Sequence, residues 1–319
     1  MIKKVTAITA CLNEEKNILR CLDSIAKQDY PHSAIEILIA DAMSADRTRE
    51  LIAEWKKTHD ISIKVLDNPR IVAEFGKAVA LKASTGDYVY QFDADEEMAQ
   101  TDMISSFVRA FEIFPDIAGV EQEFLKIPGG PVLNNFLSVI HIGDLLARDI
   151  AIKPRRVDKK VIDGKVYRKY LLYPGYPATM FLKREAIEKF IGGDTYEEGQ
   201  VTLTLAQSEN NKIAMIDGYG VYHYSVKSLG QYLKKRNKIA LKHTTRIQER
   251  KTWVSYTGAR TYIFAFLHLT LVFPILFAAA KAIQKRTPLW LLYAPMAVLT
   301  TVVYAWNWLK LKITRKKAW

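Results

Sequence analysis

An Asp-x-Asp step, Phe92-Asp93-Ala94-Asp95, closes a short apolar run of the chain. At the end of a buried strand such a step aims two hard oxygen ligands at the sheet edge. Mg²⁺ or Mn²⁺ takes ligands of this type, usually one or two carboxylates beside substrate phosphates. A cation held there would neutralise a diphosphate leaving group. Two more polar clusters follow apolar runs: Asn13, Glu14 and Glu15, then Asp41, Ser44 and Asp46. Asn13, Ser44 and Asp46 are suited equally to ligand contact and to capping the helices that follow. Asp41 and Asp93 are harder to read as caps. Three strand ends delivering acidic or amide groups to one edge mark a site rather than a solvated face.

These clusters need elements that bring them together. Val5–Thr9, Ile35–Ala40, Ile61–Leu66 and Tyr88–Phe92 are β-rich apolar runs. Between them, Asn13–Lys27 carries Ile18, Leu19, Leu22 and Ile25 at helical spacing, and Asp46–Lys57 carries Leu51, Ile52 and Trp55 on one face. Asp67-Asn68-Pro69 is a turn signal, and Ala73–Ala83 is helix-like. Strands alternating with helices predict βαβ units and a parallel sheet, with the functional loops at the carboxyl ends of the strands.

Composition bounds the rest. The 319 residues include 46 Lys+Arg and 34 Asp+Glu, a formal net charge of +12, with 49% hydrophobic and 25% charged residues. This is globular composition, which excludes collagen-like, low-complexity and disordered classes. Cys11 and Cys21 form no C-x-x-C pair and read as buried thiols, not as a disulfide scaffold or a thiolate zinc site. Thr261–Ala280 and Pro288–Leu309 carry no formal charge, and each is long enough to cross ~30 Å of hydrocarbon as a helix. Basic residues crowd their outer flanks: Lys234, Lys235, Arg236, Lys238, Lys242, Arg246, Arg250, Lys251 and Arg260 before, and Lys310, Lys312, Arg315, Lys316 and Lys317 after. The connection between the runs offers only Lys281, Lys285 and Arg286.

That bias predicts a multi-pass anchor in the cell membrane, with the large N-terminal part and the tail in the cytoplasm. Met1-Ile2-Lys3-Lys4 leads straight into a strand, without the apolar stretch of a signal peptide. The expected organisation is a globular domain over 1–227, a basic juxtamembrane helical segment over 228–260, two transmembrane helices over 261–309 and a basic tail over 310–319. With the cations gathered beside the spans, topology explains the charge better than nucleic-acid binding does. A basic collar also attracts anionic membrane lipids, at roughly 1 kcal/mol per Lys or Arg. Lys234, Lys235 and Arg236 would hold an acceptor or lipid phosphate there, or serve topology alone.

Several stretches, taken in order, resemble a family 2 glycosyltransferase of the GT-A fold. VTAITACLNEEKNILRCLDSI is similar to the family's strand, Pro-Thr-Tyr-Asn-Glu-like turn and helix. IEILIADAMSADRTREL resembles its Val-Asp-Asp-Gly-Ser-x-Asp-Gly-Thr element, and GKAVALKASTGDYVYQFDADEE its Gly-Lys helix and Asp-x-Asp strand. YPGYPATMFLKREAIEKFIGGDTYEEG looks like its acceptor-side strand, helix and acidic loop. The likeness runs from Val5 to about Tyr224. Departures are Ala10-Cys11-Leu12 for Pro-Thr-Tyr, Ala42 and Met43 for the second Asp and the Gly, and Arg47 for a common Gly.

The resemblance implies an α/β fold, a Rossmann-like, mixed but mainly parallel sheet, here followed by the helical hairpin. It implies that Asn13, Glu14, Asp41, Ser44, Lys77 and Asp93 bind a nucleotide-diphosphate sugar. Asp93 and Asp95 would hold Mg²⁺ or Mn²⁺, with His223 as a further ligand or a structural residue. Inverting transfer to a hydroxyl needs a carboxylate base, and the resemblance offers Glu198, Glu197 or Asp194. Glu198 aligns best, although Gly199 stands where an Asp is usual, and such a cluster also suits a helix N-terminus. A phosphate acceptor, already anionic with a second pKa near ~6, would relax the need for a base. The implied function is a cytoplasmic-face membrane transferase acting on a lipid-linked or glycan acceptor, as in cell-envelope polysaccharide assembly. The alternative is a catalytically impaired relative serving as a binding or scaffold protein.

Overall fold

The structure, a computed structural model, describes residues 2–140, 145–150, 154–173, 180–245 and 259–316. Parts of several sequence readings lie outside these residues: most of YPGYPAT, the basic residues Arg246, Arg250 and Lys251, and Lys317. The strands are β1 (Val5–Cys11), β2 (Ile35–Asp41), β3 (Ser62–Asp67), β4 (Tyr88–Gln91), β5 (Glu96–Met98), β6 (Gly119–Leu125), β7 (Arg155–Ile162), β8 (Lys165–Leu171), β9 (Met180–Lys183) and β10 (Lys212–His223). The helices are α1 (Ile18–Ala26), α2 (Thr48–Thr58), α3 (Ala73–Ala83), α4 (Met103–Ile113), α5 (Val132–Ile140), α6 (Leu145–Ile150), α7 (Arg184–Ile187), α8 (Glu198–Ala206), α9 (Leu229–Thr245), α10 (Ala259–Leu269), α11 (Val272–Gln284) and α12 (Tyr293–Lys316).

Two compact bodies form. Met1–Glu123 with Ile152–His223 makes one, and Phe124–Ala151 with Tyr224–Trp319 the other. The first is a single mixed sheet in the order β3-β2-β1-β4-β9-β6-β10-β8-β7, with β5 pairing to β10. Its β3-β2-β1-β4 part is parallel, as the alternating strands and helices predict. Apart from partly exposed Ala10, every residue of β1 and β2 is buried, the continuous burial expected of central parallel strands. β4 then pairs antiparallel with β9, and β9 antiparallel with β6. In α1 the buried stripe is Ile18, Cys21, Leu22 and Ile25, so Cys21 takes the place expected for Leu19. One close approach matters for the site. A Cβ on Gly76 would lie 2.8 Å from Asn68 Nδ2 and 2.9 Å from Ala10 Cβ. Glycine there lets α3 settle against β1 and sets the neighbouring Lys77 at the strand ends.

The second body is helical. Phe136, Tyr232, Trp290, Tyr293 and Met296 form its core. Residues 124–151, which the sequence reading kept inside the first domain, belong here. Of the two expected spans, only the second forms one continuous helix. The run over 261–280 breaks between α10 and α11, which are bent by 85°. Leu271 takes a positive φ of 62° at the break, and Thr270 bonds locally, its hydroxyl donating to Leu267 O at 2.7 Å. Among the described residues one helical stretch, Pro288–Lys310, is long and apolar enough to cross a membrane.

Candidate active site

The ends of β1 and β2 are stitched side by side. Asn13 N donates to Ser44 Oγ at 2.9 Å, Ala45 N to Asn13 Oδ1 at 2.9 Å, and Glu14 N to Thr48 Oγ1 at 2.8 Å. Asn13 and Ser44 therefore link two loops instead of capping α1 or α2. Asp46 joins the same two loops, accepting from Thr48 N at 3.0 Å and from Glu15 N at 3.1 Å. Asp41 is fully buried. Its Oδ1 accepts from the Ser44 hydroxyl and from Cys11 Sγ at 3.4 Å, and its Oδ2 from Ser44 N at 3.1 Å and from Arg49 Nε. Burial opposes ionisation of Asp41, but Ser44 and Arg49 hold its carboxyl below the usual value. The carboxylate expected to touch a nucleotide is thus saturated by its own loop. Arg49 extends outward from it to Asp67 Oδ1 at 2.6 Å. Burial, followed by the Asp41 carboxylate, pushes the Cys11 thiol up.

The end of β4 carries the charge. Asp93 N donates to Glu96 Oε2 at 3.1 Å and Glu96 N to Asp93 O at 3.0 Å, closing a tight turn. Asp93 and Asp95 stay partly exposed, while Glu96 is buried, with Gln122 Nε2 donating to both its oxygens at 3.1 and 3.2 Å. Tyr90 in turn donates to Gln122. Burial, reinforced by Asp93, pushes Glu96 up to about 8. β10 brings His223 opposite Glu96 in register, and His223 Nε2 lies 3.4 Å from Asp95 Oδ1. Ligand atoms of Asp93, Glu96 and His223 lie within 4.8 Å of one another. Two carboxylates and an imidazole fit a divalent cation. Asp93 and His223 are its more open members, and Asp95 flanks them.

Lys77 links this cluster to the expected base. Its ammonium lies 3.1 Å from Asp93 Oδ1 and also contacts Glu198 Oε1, to which Gln91 Nε2 donates as well. The Lys77 side chain is only 7% exposed. Burial alone would lower its pKa, but Asp93 and then Glu198 raise it, so it stays charged. Lys77 in turn holds the Asp93 carboxyl below its usual value, against burial and Asp95. Glu198 sits in the first turn of α8, where a carboxylate also suits the helix dipole. Glu14 borders the group, raised by burial and by Asp95 and Asp93 despite its bond from Asn17.

The structure thus brings Lys77, Asp93, Asp95, His223 and Glu198 together, with Asn13, Glu14, Asp41 and Ser44 on the adjoining loops. Asp194 is not among them. Its side chain is 85% exposed, and its ion pair, at 3.8 Å, is with Arg70. Glu197 precedes α8 as its N-cap residue. Lys234, Lys235 and Arg236 belong to α9 in the second body, the two lysines exposed and Arg236 buried over the Tyr232 ring. Sequence reasoning missed Gln91 and Arg49 as members, and it placed Glu96 only among the acidic residues that follow the fourth strand. The alternation of β5 could have singled out Glu96 as the inward carboxylate.

Residues 6–128 match the family described as Glycosyl transferase family 2. Over 127 residues it is 32% identical to a Methanococcus voltae protein, dolichyl N-acetyl-alpha-D-glucosaminyl phosphate 3-beta-D-2,3-diacetamido-2,3-dideoxy-beta-D-glucuronosyltransferase, covering 39% of this chain and 40% of that one. Over 112 residues it is 32% identical to the beta-monoglucosyldiacylglycerol synthase of Trichormus variabilis, covering 34% and 23%. These matches span well under two thirds of the relatives' lengths. The mannosyltransferase PcManGT of Pyrobaculum calidifontis, solved with GDP-Man and Mn2+, superposes with a TM-score of 0.58 at 19% identity over 96% of this chain and 88% of that one. Staphylococcus aureus TarS 1-349 with UDP gives 0.51 at 14% identity over 99% and 92%. At those identities the likeness speaks for the fold alone, and the fold is the GT-A type.

Proposed function

We propose that this protein is an inverting glycosyltransferase, moving a sugar from a nucleotide-diphosphate donor to a lipid-linked or glycan acceptor at a membrane. The observation that carries the reading is the buried Lys77 ammonium shared by Asp93 and Glu198. Transfer needs positive charge where the diphosphate leaves and a carboxylate where the acceptor hydroxyl loses its proton. Lys77 supplies the first and Glu198 the second, with Gln91 orienting the carboxylate. A divalent cation on Asp93, Asp95 and His223 would add Lewis-acid neutralisation of the leaving group when bound. Asn13, Glu14 and Ser44 border the donor site, and Asp41 and Arg49 hold those loops in shape. The named activities of the Methanococcus and Trichormus relatives, one on a dolichyl phosphate sugar and the other the synthesis of a glucosyldiacylglycerol, favour a lipid-linked acceptor. The apolar second body favours a membrane setting.

The test is nucleoside diphosphate release by purified full-length protein across a panel of nucleotide sugars. It is run with Mg²⁺ or Mn²⁺, with and without a polyprenyl-diphosphate saccharide, whose acceptor group is a hydroxyl that needs a base. Release that depends on one donor and on the acceptor, and is lost in Glu198→Gln, is the expected result. Donor binding by calorimetry with no turnover under any condition would instead support a binding or scaffold protein.

A further inference from the structure

The second body buries polar groups and exposes apolar ones. His268, Thr300, Thr301 and Asn307 are at most 2% exposed, whereas Phe266 is 69%, Leu276 64% and Ile283 79% exposed. His268 Nδ1 lies 2.9 Å from Thr301 Oγ1, its Nε2 lies 3.0 Å from Asp149 Oδ2, and Tyr293 donates to the same carboxylate. Soluble monomers rarely leave so large an apolar surface in water. In lipid the distribution is the stable one, with polar side chains bonded inside and apolar ones outside.

Taken singly, α10 and α11 do not have the length of spans. α10 and α11 have 11 and 13 residues. At 1.5 Å per residue they reach about 16 and 20 Å, each short of ~30 Å of hydrocarbon. The 85° bend at Leu271 keeps their lengths from adding. α12 is long enough, but α9 lies along it. Tyr232 OH bonds Thr300 Oγ1 at 2.6 Å, and Asn307 Nδ2 donates to Asn237 Oδ1 at 2.9 Å. The two helices therefore run side by side in the same direction. Beside those contacts α9 exposes Lys234, Lys235 and Lys238. A crossing α12 would draw these cations into hydrocarbon, at about 2.5–3.5 kcal/mol each. The large apolar residues α12 turns outward are Val302, Trp306, Leu309 and Ile313 along one stripe, with Trp308 to its side.

We propose that the second body is a monotopic platform: α10, α11 and α12 lay their apolar faces into a single leaflet, and no described helix crosses the bilayer. The proposal rests on the membrane setting given above. It places Lys281, Lys285 and Arg286, and Lys310 and Lys312, on the same side of the membrane as the cations of α9. Facing the headgroups, these side chains suit anionic lipid.

The test uses the full chain added to sealed vesicles of equal parts phosphatidylcholine and phosphatidylglycerol. Single cysteines are introduced by Ala259→Cys, Arg286→Cys and Lys312→Cys and reacted with a membrane-impermeant maleimide. Native Cys11 and Cys21 are buried, at 4% and 1% exposure, and the unsubstituted chain gives their background. All three positions should label from outside to the level reached in detergent. Protection of Arg286→Cys until detergent is added would mean two spans and overturn the proposal. Protection of Lys312→Cys alone would mean one crossing helix and overturn it equally. Failure to float with vesicles would overturn both it and the membrane setting. Donor turnover on the same samples reports whether the transfer reading falls with them.

Discussion

Replacing Lys77 by Met keeps the length of the side chain and removes its charge. Asp93 and Glu198 would then face one another without the cation between them. Removing one member of a fully buried ion pair costs about 3–5 kcal/mol, whereas exposed pairs contribute about 0–1. Lys77 belongs to the first case at 7% exposure, but the Asp93 and Glu198 side chains are 42% and 35% exposed, so water reaches both. A loss of about 1–3 kcal/mol lies between the two limits. Its pH dependence has a definite sign. Lys77 depresses the Asp93 carboxyl below its ordinary 3.8. The stabilisation from a depressed carboxyl is complete above the unfolded value and is lost as pH falls through the folded one. Lys77→Met should therefore be destabilised in full at neutral pH, and the deficit should shrink below about pH 4. Urea unfolding at several pH values measures this, and donor turnover should fall about 10²–10³-fold with loss of the positive charge at the leaving group. Lys77→Arg should recover part of both. Stability within about 0.5 kcal/mol of the parent, the scatter of an ordinary surface substitution, together with unchanged turnover, would refute the reasoning.

Glu198→Gln should lower turnover about 10²–10⁴-fold while leaving donor affinity by calorimetry close to the parent's; equal loss of both would make Glu198 a binding residue. Asp194→Ala should leave turnover unchanged, since that side chain is exposed and paired with Arg70. His223→Ala should raise the Mn²⁺ concentration for half-maximal activity by about tenfold or more, and an unchanged metal titration would make His223 structural. Gly76→Ala should cost about 1–3 kcal/mol by overpacking, because its Cβ would meet Asn68 and Ala10 below 3.0 Å; thermal unfolding reads this directly.

The parallel half of the sheet was legible because its signals are local. β1, β2 and β4 are apolar runs with a helix between each pair, and burial follows the pattern residue by residue. The antiparallel half was not, because β9 has four residues and partners, β4 and β6, far along the chain, while β7 and β8 form a largely polar hairpin that an apolar pattern does not register. The break at Leu271 was hidden for a different reason. Nothing in TYIFAFLHLTLVFPILFAAA interrupts the apolar run there, and Pro274, the residue one would suspect, is buried within the first turn of α11. Window hydropathy counts composition, and it registers neither a positive φ nor a threonine that satisfies the freed backbone.

The site was legible as residue types and illegible as partnerships. Gly-Lys and Asp-x-Asp fix which groups reach the sheet edge, because strand ends and a tightly packed α3 leave them nowhere else to go. That Lys77 would join Asp93 to Glu198 needed a pairing across 121 positions, which no spacing encodes. The same limit explains Asp41. Its place after β2 reads as an exposed contact, yet Ser44, Cys11 and Arg49 close around it, and all three residues depart little from what a loop could carry. Cys11 stands where the family resemblance has Thr in Pro-Thr-Tyr, and its thiol bonds Asp41 directly across the β1–β2 register. Of the departures from the expected motifs, Cys11 at the first turn meets that carboxylate directly, and Met43 after β2 meets it only through Arg49, whose Nη2 lies 3.9 Å from Met43 Sδ.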